Sequence, residues 1–426
     1  MPPSPVPVDT GRLRTTSPLS PQVTPLRERP RIGWLDALRG IAALVVVFDH
    51  SSYAFLPQFR QELMPEFNTS RYGIMVFFLV SGYIIPASLE RGGSVRTFWI
   101  GRLFRVYPLW AVAVSALAAL HALDLARIRP DLAQQPLAAV AAAHLTMFQE
   151  LLGTPNVLLV LWTLSYEMAF YLLTVALFTV GRHHRSATVA VTLAVLAAAV
   201  VAAGVSLPPS ALSHVLGTGP LVAITSVAMA TAVCCACTGR PVLRTAGGVL
   251  GGLLALLLVT ANGTVPVWEG LTILAVMFLG TAIHRAEHGQ VTWRATACAT
   301  AVVLLCAVAS AHGHGDARQF TERGWLTAFL MAVLTFAAGW ALRHRRTPRW
   351  LTVLGAISYS VYLLHPVVLA VTDATIGRSA RDDLVLEAAF AAVLLPLSWL
   401  THRYVETPPQ RWGRALSRRP RGRAGG

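Results

Sequence analysis

The chain has 426 residues, 54% of them hydrophobic and only 13% charged, and its formal net charge of +15 is carried by arginine alone, since lysine is absent. A charged fraction about half that of ordinary soluble proteins excludes a soluble globular enzyme, a disordered chain and a disulfide scaffold. The basic excess is not read as a nucleic-acid footprint before the arginines are placed, and no nucleic-acid partner is expected.

In chain order, the first thirty residues hold eight prolines and no apolar run. Residues 1–31 therefore read as a disordered cytoplasmic tail, with no h-region for a signal peptide. Apolar runs long enough for a membrane helix, which needs roughly 20 residues, follow near 34–54, 72–90, 106–126, 157–180, 187–206, 213–237, 245–262, 267–285, 294–311, 324–342, 351–372 and 384–404. The stretch 136–152 is shorter and is interrupted by His144, Gln149 and Glu150, so it is expected to be re-entrant or interfacial. Cys234, Cys235, Cys237, Cys298 and Cys306 lie inside apolar runs and read as lipid-embedded side chains. Residues 32–406 form the expected transmembrane domain, and 407–426 a basic cytoplasmic tail.

The arginines test the span count. With twelve spans and both ends inside, 26 arginines fall in inner segments and eight in outer loops (Arg60, Arg71, Arg127, Arg129, Arg318, Arg323, Arg378 and Arg381), with Arg39 inside the first span. The bias recurs at every inner loop, as the positive-inside rule requires. Counting 136–152 as a span would invert every later loop.

Ionisable groups inside membrane helices are costly and mark function by default. The first span holds Asp36, Arg39, Asp49 and His50. At 100° per residue, Arg39 and His50 fall within about 20° of each other and about 16 Å apart along the axis. Asp36 joins the same stripe, whereas Asp49 lies off it. The fourth span carries Glu167 in mid-helix with Tyr171 one turn on. In SYSVYLLHP, Ser358, Tyr362 and His365 share one face, and Pro366 frees the carbonyl of Tyr362. In RTFWIGRLFRVYP, ahead of the third span, Arg102 and Arg105 form an i,i+3 pair suited to clamping phosphates. His284–His288 match an H-x-x-E-H order, but they sit at a loop end with no supporting fold, and no metal site is expected.

The stretches LDALRGIAALVVVFDHS, FFLVSGYII, FWIGRLFRVYP, LWTLSYEMAFYLL, GAISYSVYLLHP and YVETPPQRWGRAL, running from residue 35 to about 416, resemble the acyltransferase-3 family of integral-membrane O-acyltransferases. The resemblance implies an all-α polytopic membrane protein, a bundle of ten to twelve transmembrane helices with both termini cytoplasmic, in the cell inner (plasma) membrane. It also implies transfer of an acyl group, commonly acetyl, from acyl-CoA to a hydroxyl of a sugar, glycan or sugar-bearing natural product such as a macrolide. Under it, His50 looks like the family's essential first-helix histidine, Arg39 its partner, Glu167 the glutamate of the S-x-x-E segment, and Arg102 with Arg105 the donor-handling pair. Asp36, Ser358, Tyr362 and His365 are the expected supporting polar face. Acyl-CoA is the donor substrate, and no bound cofactor is expected. The chain departs from the family at Asp49, where an aromatic is usual, and at Met168, where a second glutamate is common. His50 suits a general base or a transient acyl carrier. The alternative from another class is a twelve-span secondary transporter using the buried charges, although those cluster in the first half without paired broken helices in the second. The alanine-rich, lysine-free composition fits a high-GC bacterial coding sequence.

Overall fold

A computed structural model of the chain describes residues 1, 33–316 and 321–418. The tail expected over 1–31, Arg318 and the segment past Arg418 lie outside the described residues.

The helices are α1 Gly33–Phe55, α2 Pro57–Glu66, α3 Thr69–Gly92, α4 Val95–Ala122, α5 Leu137–Leu145, α6 Trp162–Thr179, α7 Ser186–Ala202, α8 Ala211–Leu216, α9 Thr218–Ala236, α10 Pro241–Ala261, α11 Val267–Glu287, α12 Trp293–His314, α13 Glu322–Ala341, α14 Arg349–Thr375, α15 Leu384–Thr401 and α16 Thr407–Arg418. Eleven of the long helices are apolar enough to cross a membrane. The twelfth, α1, has 23 residues and carries Asp36, Arg39 and Asp49. The chain is an all-α, multi-pass membrane protein.

Three segments differ from the sequence expectation. The run at 213–237 is broken at Gly217, whose φ of 82° separates α8 from α9. The arginine–aromatic cluster expected ahead of the third span is the first half of α4. Gly93, at φ 59°, closes α3, and Ser94 caps α4 by accepting from the Thr97 amide at 3.3 Å. Residues 407–418, expected as tail, are helical. The doubtful stretch 136–152 holds only the nine-residue α5 and one 3-10 turn. Nine residues rise about 14 Å, under half of a hydrocarbon core about 30 Å thick.

Helices α3 and α11 form the centre: 83% of each apolar stretch is buried, against 22% for α4 and 17% for α15. They run parallel, tied at one end by Arg71 Nε to Glu269 at 2.6 Å and at the other by Glu90 to Arg285. Glu269 and Arg285 are each 1% exposed, so removing either partner would strand a buried charge at a cost of about 3–5 kcal/mol.

Helices α1 and α14 also run parallel. A Cβ on Gly355 would collide with the Asp36 backbone, and one on Gly40 would come within 2.9 Å of the Gly355 nitrogen. Small residues let the two backbones approach as membrane helices require. The crossing fixes a register in which His50 and His365 each lie ten residues beyond the paired glycines.

Candidate functional site

That register brings two histidines together. His50 Nδ1 lies 2.9 Å from His365 Nε2, with near-parallel rings. His365 Nδ1 lies 3.1 Å from the Val361 carbonyl. A carbonyl only accepts, so with both rings neutral Nδ1 of His365 carries its proton and Nε2 is the acceptor. His50 Nδ1–H must then donate, which leaves the lone pair of His50 on Nε2. The His365 side chain is fully buried, while His50 is 21% exposed. Asp49 Oδ2, beside it, lies 3.9 Å from His50 Nε2, beyond hydrogen-bond distance, while Oδ1 accepts from Arg60 Nη1 at 2.8 Å and Thr69 Oγ1 at 2.6 Å.

The other expected residues gather elsewhere. A cleft partly open to solvent is lined by Arg39, Arg105, Glu167, Ser358 and Tyr362, with Tyr171, Thr163, Phe77 and Tyr359 among their neighbours. Arg39 and Arg105 form no hydrogen bond or ion pair with another described residue. Glu167 Oε1 accepts from Tyr171 at 2.7 Å. Ser358 turns its hydroxyl back to the Gly355 carbonyl at 2.9 Å. Arg102 does not line the cleft. It stands behind it, stacked over Phe98 and Tyr171 at 5.3 and 5.4 Å and within 3.3 Å of Ser88 Oγ. Asp36, half-buried, sits on α1 one turn from Arg39.

The structure therefore separates what the shared stripe of α1 joined. Because α1 is unbroken, Arg39 lies at the cleft while His50 stays about three turns away, and neither Arg39 nor Glu167 touches it. Tyr362 stands between the two centres. It lines the cleft, its ring lies 6.0 Å from His365 and 5.5 Å from Phe77, and its hydroxyl is held by Thr163 at 2.7 Å and by the Val160 carbonyl at 3.1 Å.

Thr163, Phe77 and Tyr359 are wall residues that sequence reasoning left out. Thr163 had a signal, lying one turn before Glu167 in WTLSYE; the other two read as ordinary helix aromatics. The H-x-x-E-H segment is taken up in packing. His284 stacks on His288, and Glu287 bonds Tyr83, Trp340 and Arg343. No cluster of three or more His, Cys, Asp or Glu suited to a metal occurs among the described residues.

A model of the acyltransferase-3 family, described as an acyltransferase domain, matches residues 32–403. The acyltransferase MdmB of Streptomyces mycarofaciens is 26% identical over 399 residues, covering 89% of this chain and 92% of that protein. No solved structure matches the chain.

Proposed function

Because the chain belongs to the acyltransferase-3 family, we propose that it transfers an acyl group, acetyl in the first instance, from acyl-CoA to a hydroxyl of a sugar, glycan or sugar-bearing natural product, with His50 as general base. One observation supports this above the rest: the chain from the Val361 carbonyl through His365 to His50 leaves an unprotonated Nε2 on a partly exposed ring. An imidazole oriented through its other nitrogen is how a neutral base is held ready at ordinary pH.

In the proposed reaction His50 Nε2 takes the acceptor's hydroxyl proton as the oxygen attacks the thioester carbonyl. The carbon–sulfur bond breaks, and the imidazolium returns the proton to the departing CoA sulfur. His365 accepts from Nδ1–H throughout and stabilises the transient positive charge. Arg39 and Arg105, with no other hydrogen-bonding duty among the described residues, would hold the donor's phosphates at the cleft, about three turns of α1 from the histidine that meets its thioester. Arg102 would stiffen that wall through Tyr171 rather than touch the donor. The active protein would sit in the cell inner (plasma) membrane with the cleft toward the arginine-rich cytoplasmic side.

The test is transfer of labelled acetyl from acetyl-CoA to a panel of hydroxylated acceptors by the full chain in lipid nanodiscs. His50→Ala is expected to lower the rate by about 10²–10⁴-fold, the usual contribution of a general base. Wild-type turnover by that variant would sink the assignment. A wild-type protein that binds or moves a solute but never cleaves acyl-CoA would favour the transporter.

A further inference from the structure

The C-terminal helix has a face that no described part of the protein covers. Helix α15 leads through the π turn His402–Glu406 directly into α16, so α16 begins within about a turn of the end of the apolar span expected over 384–404. Two side chains independently mark that end as the membrane boundary. Trp399 and Tyr404 are 46% and 65% exposed, and the Arg403 guanidinium lies over both rings at 5.6 and 5.8 Å. Exposed Trp and Tyr beside arginine at a helix end are the usual occupants of the headgroup region.

Helix α16 is built for the same depth. At 100° per residue, Ala415 and Leu416 fall about 60° and 40° from Trp412, while Arg411 and Arg414 fall about 100° and 160° away. All five are exposed, Trp412 by 64% and Leu416 by 45%. Among the described residues of α16 only Gly413 is fully covered, seated so closely on Phe104 of α4 that a Cβ would come within 2.8 Å of it. The Ser360–Glu406 hydrogen bond ties the preceding turn to α14. One edge of α16 is thus docked on the bundle, and its apolar and basic faces look away from it.

We infer that α16 is an interfacial helix: its Trp412–Leu416 face seats in the bilayer surface, and Arg411 and Arg414 hold anionic phospholipid headgroups. A short amphipathic helix with aromatic and aliphatic residues opposite arginine binds at this depth through buried apolar area plus attraction to anionic lipid. The inference stands apart from the acyl-transfer reading and does not depend on it.

The experiment is hydrogen–deuterium exchange, read by mass spectrometry over 407–418, on the full chain in detergent, in phosphatidylcholine nanodiscs, and in nanodiscs of equal parts phosphatidylcholine and phosphatidylglycerol. Exchange should slow from detergent to neutral discs. In anionic discs it should slow further by roughly 30-fold, the effect of two basic residues at a charged surface, and high salt should erase that second step. Arg411→Gln with Arg414→Gln should lose the second step and keep the first, which also shows that the variant is folded. Trp412→Ala with Leu416→Ala should lose the first. Equal exchange in all three media would overturn the inference. Cross-linking between Leu416→Cys copies that vanishes on dilution would overturn it in favour of a second protomer.

Discussion

His365 presents to His50 the nitrogen that its own backbone contact leaves without a proton, and it is the side chain on which the proposed chemistry most depends after His50 itself. It is a positioning residue: it touches the base and lines no part of the cleft. His365→Phe keeps bulk but removes the acceptor, so we expect kcat to fall about 10²-fold with the donor KM nearly unchanged. His365→Gln, whose amide oxygen can accept from His50 Nδ1–H, should recover part of the loss. A merely structural role would move both constants and show no rescue. Tyr362 makes a second prediction at this scale. It lines the cleft and its ring lies 6.0 Å from His365, so in the proposed reaction an acyl group carried from the cleft to His50 passes it. Tyr362→Ala should raise the kcat/KM ratio of butyryl to acetyl donor by roughly tenfold, the scale at which pockets sort methylenes, whereas Tyr362→Phe keeps the ring and should leave the ratio close to wild type. An unchanged ratio in the alanine variant would refute this. Residue types were readable from sequence because buried ionisable groups stand out in apolar helices. Their pairing was not, because the two histidines lie 315 positions apart and helical periodicity reports only faces within one helix.

At the scale of elements, the pairing of α1 with α14 converts those faces into a site. Gly40 and Gly355 set both the closeness and the register of the two helices, and the same offset of 315 recurs at the histidines. Gly355→Leu would place a side chain where the Asp36 backbone lies. Overpacking of this kind costs about 1–3 kcal/mol and must be relieved by sliding or tilting α14, which separates His365 from His50. We expect a lowered thermal midpoint in detergent together with a loss of transfer as large as that of His365→Phe, while Gly101→Leu, at a glycine with no neighbour within 4 Å, should change neither. Sequence reading reached the individual spans because length and hydropathy set them locally. It missed the helical character of 407–418, where Thr407, Pro408 and Pro409 are a serviceable helix start and Trp412 with Leu416 stand one turn apart, because the abundance of arginine suggested a solvated tail. Charge on one face of a helix and charge throughout a coil look alike in a composition count.

For the whole molecule, the arginine distribution carries an expectation about orientation that helix packing meets halfway. In a twelve-span serpentine, α1 and α14 are both odd spans and must run the same way, as must the even spans α3 and α11. The contacts at Gly40–Gly355 and His50–His365, and the ion pairs at the two ends of α3 and α11, show both pairs parallel. Had 136–152 formed a span, α1 and α14 would have to be antiparallel. Which end faces the cytoplasm rests on charge alone: anionic lipid and the membrane potential retain arginine inside. Cysteine labelling decides it. With Cys234, Cys235, Cys237, Cys298 and Cys306 replaced by serine, Gly239→Cys lies in a loop expected inside and Gln134→Cys in one expected outside; both positions are exposed. A membrane-impermeant maleimide applied to intact cells should label Gln134→Cys and reach Gly239→Cys only after the membrane is opened. The reverse pattern would turn the cleft with Arg39 and Arg105 away from cytosolic acyl-CoA, and the donor assignment would fall with it even if His50 proved essential.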